Sequence, residues 1–468
     1  MRVGIMTEYP SVAVQSGPAL HTRFLYEQMK GRGHSVVLMG PDTGSEDPID
    51  ASEVQLYKGR PYPTHPKVKI PMPASFGHMW NAPDVDVIHS QTNTHMVHYA
   101  VWMRRMNRVP VLNTHTVHLP THSHFVISDK MWQKPAVRRF LMNSASKLER
   151  NFAKLYNQGD YLIVQSKHFV QYWKDRGVTI PIEVVGRPID PAKFSKTPGR
   201  DPFPKGFTKG KRLLVVCRHD REKSLDHLIK IFAEHLAPSD PDITLTLVGD
   251  GHDHVNLVNL ASRTGYANRI HFPGEMKHGE LVDWYAHSDV FTYTSISETF
   301  GNVVNEALWC RQPVVALNDN MGVAHQVEDG VNGFLVEPKQ ADTDVLFAKR
   351  VMQLVNDDAL RARMAETAAE MSRARSHPDV VVSRFEKIYG EAKRHCDATI
   401  TRPLSEASTF RQKAALANHL QKWRWYNGWL LTIAKVATGL GAGRKVPTQA
   451  LPAPTVHQTG EARRITIS

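Results

Sequence analysis

One stretch narrows the possible folds of this chain more than any other: Ser295 to Glu328, together with the short run that leads into it. Asp289-Val-Phe-Thr-Tyr-Thr294 reads as a buried strand, and Gln312-Pro-Val-Val-Ala-Leu317 as a second one. Between them Ser297 offers an N-cap, Thr299, Phe300, Gly301 and Asn302 turn the chain, and Val303, Val304, Ala307 and Leu308 carry a helical face. A strand–loop–helix–strand unit of this kind presents its loop at the strand's carboxyl end, where open α/β sheets bind ligands. A helix start gathers free N–H groups and the positive end of a dipole, which favours an anion. Gly301 removes the side chain that would block a close approach. Glu298 and Glu306 stand eight residues apart, one before the helix and one about two turns in. Both could face a ligand rich in hydroxyls; equally, they could be a capping acid and a solvated helix glutamate.

The same grammar recurs along the chain. Residues 2–6 read as a strand, Ser16-Gly17-Pro18 as part of a loop, Ala19 to Arg32 as a helix and Ser35–Met39 as the next strand. Asp84–His89, Val109–Asn113, Asp160–Gln165 and Ile182–Val185 continue a first sheet. Residues 196–210, rich in Pro, Gly, Lys and Asp, read as a linker, after which Arg212–Cys217, Ile243–Val248 and Arg269–Gly274 begin a second sheet. A chain of 468 residues has room for two or three domains. Arg218 and Lys223, five residues apart at the end of a strand, suit a diphosphate: arginine forks onto two oxygens and lysine adds a point charge. A solvated basic loop is the plainer reading of that pair alone.

Other features restrict the partners. The formal net charge of +12 points to an anionic one: nucleic acid, an anionic membrane or a phosphorylated ligand. Cys217, Cys310 and Cys396 lie far apart, which suggests reduced thiols. His115, His118, His122 and His124 invite a metal reading, but their spacing matches no helix-face pair and Pro120 interrupts them. His118, His122 and His124 read as surface-loop residues. Met1 leads straight into a strand, so no signal peptide is expected, and no apolar run is long enough to span a bilayer. Residues 129–152 mix Trp132, Phe140 and other apolar residues with Arg138, Arg139 and further cations, as an interfacial helix would, or an ordinary surface helix. Between Ala407 and Gly460 there is no acidic residue, and Trp423 and Trp425 alternate with Lys422 and Arg424, with Trp429 one turn further on. That pattern fits a bilayer interface, a helix docked on the protein itself, or stacking on single-stranded nucleic acid.

The Glu298–Glu306 stretch resembles the E-x7-E region of retaining glycosyltransferases of family four (the group 1 glycosyltransferases), with Gly330-Val-Asn-Gly-Phe-Leu-Val-Glu337 similar to the strand that follows it there. Arg218 to Asp226 resembles their basic donor segment, with Ser224 in place of the usual glycine, and Gly186-Arg-Pro-Ile-Asp190 resembles the turn that ends their first domain. In the first loop Ser16 replaces one of two customary glycines and Gly17 is kept. The resemblance implies an α/β chain of the GT-B fold, two doubly wound Rossmann-like domains facing a cleft, here with a basic C-terminal helical tail. The expected division is 1–195, a linker 196–210, 211–378, a crossover helix 379–395, a basic aromatic tail 396–440 and disorder over 441–468.

The implied activity is transfer of a hexose from a nucleotide-diphosphate sugar, UDP- or GDP-linked, with retention of anomeric configuration. By resemblance, Arg218, Lys223 and Gly17 face the diphosphate, Thr299–Asn302 and Glu298 the hexose, Glu306 the ribose, and His115 the sugar and the acceptor hydroxyl. No cofactor or metal is expected, because Arg218 and Lys223 would take a metal's place. The expected acceptor is a membrane lipid such as diacylglycerol or a glycolipid, met at an anionic membrane surface by Trp132, Arg138, Arg139, Trp423, Trp425 and Trp429. The expected location is the cytoplasm, peripheral on the inner face of the membrane, without nucleic acid. A polysaccharide or soluble acceptor, and a non-catalytic anion-binding protein, are the alternatives.

Overall fold

The computed structural model describes residues 1–8, 17–42, 49–62, 65–71, 83–92, 95–118 and 134–439. Two parallel sheets organise them. The first contains β1 (Arg2–Met6), β2 (Ser35–Pro41), β3 (Val54–Tyr57), β6 (Val87–Ser90), β7 (Val111–Thr114), β8 (Tyr161–Val164) and β9 (Ile182–Val184), with β4 (Gly59–Tyr62) and β5 (His65–Pro71) forming a separate hairpin. Its order is β3-β2-β1-β6-β7-β8-β9, every pairing parallel. The second contains β10 (Arg212–Val216), β11 (Thr244–Val248), β12 (Ile270–Gly274), β13 (Val290–Tyr293), β14 (Val314–Leu317) and β15 (Gly333–Val336), in the order β12-β11-β10-β13-β14-β15, again all parallel.

The inner strands β6, β13 and β14 are buried on both faces, as sheets covered by crossover helices require, while β3, β9 and β12 at the edges are only partly covered. Each sheet reverses its direction of growth beside its first strand, between β1 and β6 and between β10 and β13. Such a switch point opens a crevice at the strands' carboxyl ends. The packing changes from the first core to the second around Gly186, since Val185 belongs to the first while Ile189, Phe194 and Phe203 already pack in the second.

Two later segments return to the first domain. The helix Pro378–Thr399 buries Val382, Phe385, Ile388, Tyr389 and Ala392 among Val3, Ile5, Leu25 and Leu112. The Tyr389 hydroxyl lies 2.8 Å from His89 Nδ1 inside that core. Asp160, fully buried, is held by Arg104 at 2.7 and 2.8 Å, by His395 at 2.8 Å and by the Val111 N–H at 2.8 Å, so the end of the crossing helix is anchored by charge-assisted bonds. The helix Thr409–Gly439 then lies on the helix His95–Asn107: Leu416, Leu420 and Trp423 pack against the core of Met96, Tyr99, Trp102 and Met103.

The expectation that Trp423 meets a membrane is therefore corrected. Its side chain is 4 % exposed, because the groove beside Trp102 provides a protein surface to bury it. Trp425 and Trp429 follow on the same helix, but their side chains lie outside the described residues, as do Trp132 and the proposed disordered segment 441–468. Among the described residues, no helix is long and apolar enough to cross a membrane.

His419 adds a polar tie to the same contact, its Nε2 at 2.9 Å from the His98 carbonyl oxygen, and burial pushes the ring down to about 4. If this helix is part of the first domain's core, Trp423→Ala will destabilise the protein by about 3–5 kcal/mol. Equilibrium unfolding in urea measures it, and a change of only a few tenths would mean that the helix rests loosely on the surface.

Candidate active site

The loops after β10 and β13 meet at the second switch point. Glu298 receives three bonds on one carboxylate oxygen: from Lys223 Nζ at 2.6 Å, the Tyr293 hydroxyl at 2.7 Å and the Ser295 hydroxyl at 2.8 Å. Burial would raise its carboxyl, but the charge and hydrogen bond of Lys223, helped by the two hydroxyls, hold it down to about 2. Burial works equally against the Lys223 ammonium, and Glu298 and Glu222 together carry it above its usual range. The pair is an ion pair under both influences.

Lys223 thus has its charge compensated from below by Glu298 and, at 3.4 Å, by Glu222. Arg218 stands further out, its side chain 60 % exposed, steered by Asp220 at 2.6 Å and Glu222 at 3.3 Å. A lysine fixed by acids beside a more open arginine can take a diphosphate, because the lysine has little side-chain entropy left to lose on binding.

The loop after β13 takes a different shape from the one its sequence suggested. Ser297 does not cap the helix; its hydroxyl is buried with no partner among the described residues. The helix begins later, at Asn302, and Gly301 occupies the cap position in the left-handed region at φ 82°. Two residues define this bend. Gln326 donates its side-chain amide to the carbonyls of Phe300 and Gly301. Gly322 lies so close beneath that a Cβ would come within 2.6 Å of the Phe300 backbone. With the carbonyls drawn inward, the N–H groups of Thr299, Phe300 and Gly301 have no acceptor among the described residues. Together with the helix start they form an anion- or hydroxyl-binding edge.

Glu306 lies on the inner face of the helix Asn302–Trp309, bonded to His278 Nε2 at 3.0 Å and the Tyr285 hydroxyl at 3.1 Å. The two glutamates are accordingly held by different partners, Glu298 over the Lys223 loop and Glu306 toward the loop after β12. The Lys223–Ser224 turn is itself pinned, because the Thr294 hydroxyl donates to the carbonyls of Lys223 at 3.3 Å and Ser224 at 2.9 Å. Ser224 sits at φ 52°, a left-handed conformation that costs an L-residue about 1–2 kcal/mol.

From the first domain, His115 directly follows β7 with 1 % exposure, its ring edge-on to Phe169 at 4.8 Å and to Trp173 at 5.0 Å. His118, read from sequence as a surface-loop residue, is instead buried: its Nε2 is 3.0 Å from the Tyr172 hydroxyl and its backbone N–H reaches Thr299 Oγ1 at 3.3 Å. The aromatic residues Phe169 and Tyr172 of the helix His168–Lys174 supply the cover that the sequence of the histidine segment does not reveal. His122 and His124 lie outside the described residues. Arg187 is a further element not anticipated, buried and bonded to Asn302 Oδ1 at 3.2 Å. Gly17 is the first residue of the helix Gly17–Gly31.

Two measurements follow from this geometry. The Glu298 carboxyl contributes stability that is present above its ordinary value near 4.5 and is lost as the pH falls toward about 2. Glu298→Gln should flatten the pH dependence of unfolding free energy over that window and cost on the order of 3 kcal/mol at neutral pH, since Lys223 loses its main counter-charge. Ser224→Gly should stabilise the protein by about 1 kcal/mol in thermal unfolding; a loss of stability would mean that the Ser224 side chain supports the loop in a way its backbone does not reveal.

Comparison with known proteins agrees with this architecture. The family model described as "Glycosyltransferase Family 4" matches residues 16–193, and that described as "Glycosyl transferases group 1" matches residues 200–371. The N-acetyl-alpha-D-glucosaminyl L-malate synthase of Bacillus anthracis is 27 % identical over 40 % of this chain and 48 % of its own. The alpha-monoglucosyldiacylglycerol synthase of Streptococcus pneumoniae is 24 % identical over 83 % of this chain and 88 % of its own. The crystal structure of Anabaena HepE in complex with UDP is 18 % identical with a TM-score of 0.62, over 83 % of this chain and 100 % of that one, a likeness of fold. The chain spans less than half the length of several of its curated relatives. With one family model over each domain and the two-sheet GT-B architecture between them, the chain belongs to the group 1, family-four glycosyltransferases.

Proposed function

We propose that the protein transfers a hexose from a nucleotide-diphosphate sugar to a lipid hydroxyl with retention of anomeric configuration. The observation that carries this reading is the Lys223–Glu298 pair at 2.6 Å, with Arg218 beside it, at the switch point of the second sheet. In the proposal Arg218 and Lys223 hold the diphosphate and stabilise the charge that grows on it as the sugar departs. The free N–H groups of Thr299–Gly301 and the helix start at Asn302 orient the hexose, together with the Glu298 oxygen not engaged by Lys223. Glu306, set by His278 and Tyr285, takes the ribose hydroxyls. His115, under the aromatic cover of Phe169 and Trp173, lines the sugar side of the cleft, and Gly17 leaves room for the phosphates at the first helix. The acceptor oxygen bonds to the anomeric carbon on the face from which the phosphate leaves. The C–O bonding pair passes to the phosphate oxygen, which then takes the acceptor's proton. These residues supply the charge that a divalent metal would otherwise supply.

The lipid acceptor is supported by the helix Pro135–Tyr156, whose first turns expose Phe140 (61 %) and Met142 (43 %) beside the exposed Arg138 and Arg139. An apolar tip ringed by cations suits the headgroup level of an anionic membrane. The pneumococcal relative, by its name, synthesises a glycosyldiacylglycerol, which agrees with this reading.

Calorimetric titration with UDP-glucose, UDP-galactose, UDP-glucuronate and GDP-mannose tests the donor. One of them should bind equally with and without magnesium, and Lys223→Ala should abolish that binding. Indifference to Lys223→Ala would overturn the assignment of the diphosphate. Proton NMR of the product reads the anomeric configuration, and inversion would refute the retaining step. Vesicles containing anionic lipid should bind the protein, and Phe140→Asp with Arg138→Ala and Arg139→Ala should release it; unchanged partition would remove that helix from the membrane contact.

A further inference from the structure

A cavity of about 310 Å³ lies behind the donor-side loop, where the two domains and the crossing helices meet. It is not the cleft: Arg218, Lys223, Glu298 and Glu306 do not line it. Lys167 and Gly186 come from the first domain, Phe300, His325 and Arg375 from the second, and Arg384 from the helix Pro378–Thr399 that crosses between them. Among the described residues, no acidic side chain lines it. Arg384 is paired outside the cavity with Glu183 at 3.1 Å. Arg375 is satisfied only by carbonyl oxygens, those of Met371 and His325 at 3.2 Å and Gln326 at 3.1 Å, so its charge has no bonded counter-ion among the described residues. The Lys167 ammonium forms no ion pair or hydrogen bond among the described residues, although its carbonyl oxygen accepts from the Val170 N–H, and the Nδ1 atom of His325 is buried with no partner there.

Half-buried Arg375 and exposed Lys167 put two cations on the cavity with no acid bonded to either among the described residues, Glu328 acting on Arg375 only at a distance, and the buried ring nitrogen of His325 without a partner is costly. Burial, with the charges of Arg375 and Lys167, pushes the His325 ring down to about 4, so at neutral pH it is an uncharged ring able to donate or accept. We propose that this inter-domain cavity binds a phosphate-bearing anion, with Arg375, Lys167 and His325 as its ligands. Arg384 closes the rim. The volume lies at the small end of ligand pockets, enough for a phosphate on a compact metabolite. A ligand here touches both domains and the back of the bend that Gln326 and Phe300 hold, so it would fix the relative setting of the domains. The inference rests on the cavity itself and not on the identity of the donor.

The test is calorimetry of the full chain with inorganic phosphate and with glucose 6-phosphate as probes, at constant ionic strength. The donor loop could also attract phosphate, so the variants distinguish the two places. Lys167→Met, a surface change that leaves the fold intact, and His325→Leu should each weaken binding about tenfold, the loss expected for one charged or buried hydrogen bond, while Arg218→Ala leaves it unchanged. Thermal unfolding should show the same pattern as a rise in Tm with ligand for the wild type and a smaller one for Lys167→Met. The proposal is overturned if neither probe binds the wild type, or if binding disappears with Arg218→Ala and survives both cavity variants. Preference for glucose 6-phosphate over inorganic phosphate would assign the rest of the cavity to a sugar; equal affinity would confine recognition to the phosphate.

Discussion

The structure depends on one buried ion pair. Glu298 and Lys223 come from loops of neighbouring strands, β13 and β10, and neither charge would be stable in that interior alone. Their bond ties the two loops of the switch point together, and Tyr293, Ser295 and Glu222 complete it. The cost of burying two charges is met locally by hydrogen bonds, and it leaves a cation at fixed position in the mouth of the second sheet. The bend at Phe300 and Gly301, the late helix start at Asn302 and the seat of Glu306 all follow from the loop that begins at Glu298.

Around that pair the chain divides its labour between a rigid sheet and a set of loops held by single side chains. Gln326 reaches back to the carbonyls of Phe300 and Gly301, Asp319 accepts from the N–H groups of Met321, Val323 and Ala324, and Arg187 bonds Asn302 from the connecting turn. Burial raises the Asp319 carboxyl to about 6 even with its three backbone donors and with Glu298 adding to the rise, so it titrates closer to neutrality than an ordinary carboxylate. Each of these residues fixes backbone or a helix start that lies far from it in the sequence or on the next turn.

Much of the fold was legible in the sequence because the two sheets consist of short apolar runs ended by turns, and a parallel pairing needs a crossover helix for each. The order of Arg218, Lys223, Glu298 and Glu306 was legible for the same reason: each follows or precedes a strand. What escaped was whatever depends on packing at long range. Ser297 looks like an N-cap by residue type, but the left-handed Gly301 sets the helix start instead. His118 looks like a loop residue until Phe169 and Tyr172, fifty residues on, are folded over it. Trp423 has the signature of an interfacial tryptophan, and nothing local distinguishes that from a residue that fills a groove beside Trp102. Gln326 and Arg187 carry no pattern at all; their importance lies in the distance they span.

The two returning helices bear on how the protein comes into being. The core of the first domain includes Phe385, Ile388 and Tyr389, and its outer cluster includes Leu416, Leu420 and Trp423. During synthesis from the amino end, the first sheet emerges from the ribosome long before these residues exist. It must wait, with Val3, Ile5 and Trp102 uncovered, while the whole second domain is made. The second domain has no such debt, since its core needs nothing beyond the helix Asp358–Ser376. The half made first is therefore the half completed last, and its apolar groove stays open to water until the end of synthesis.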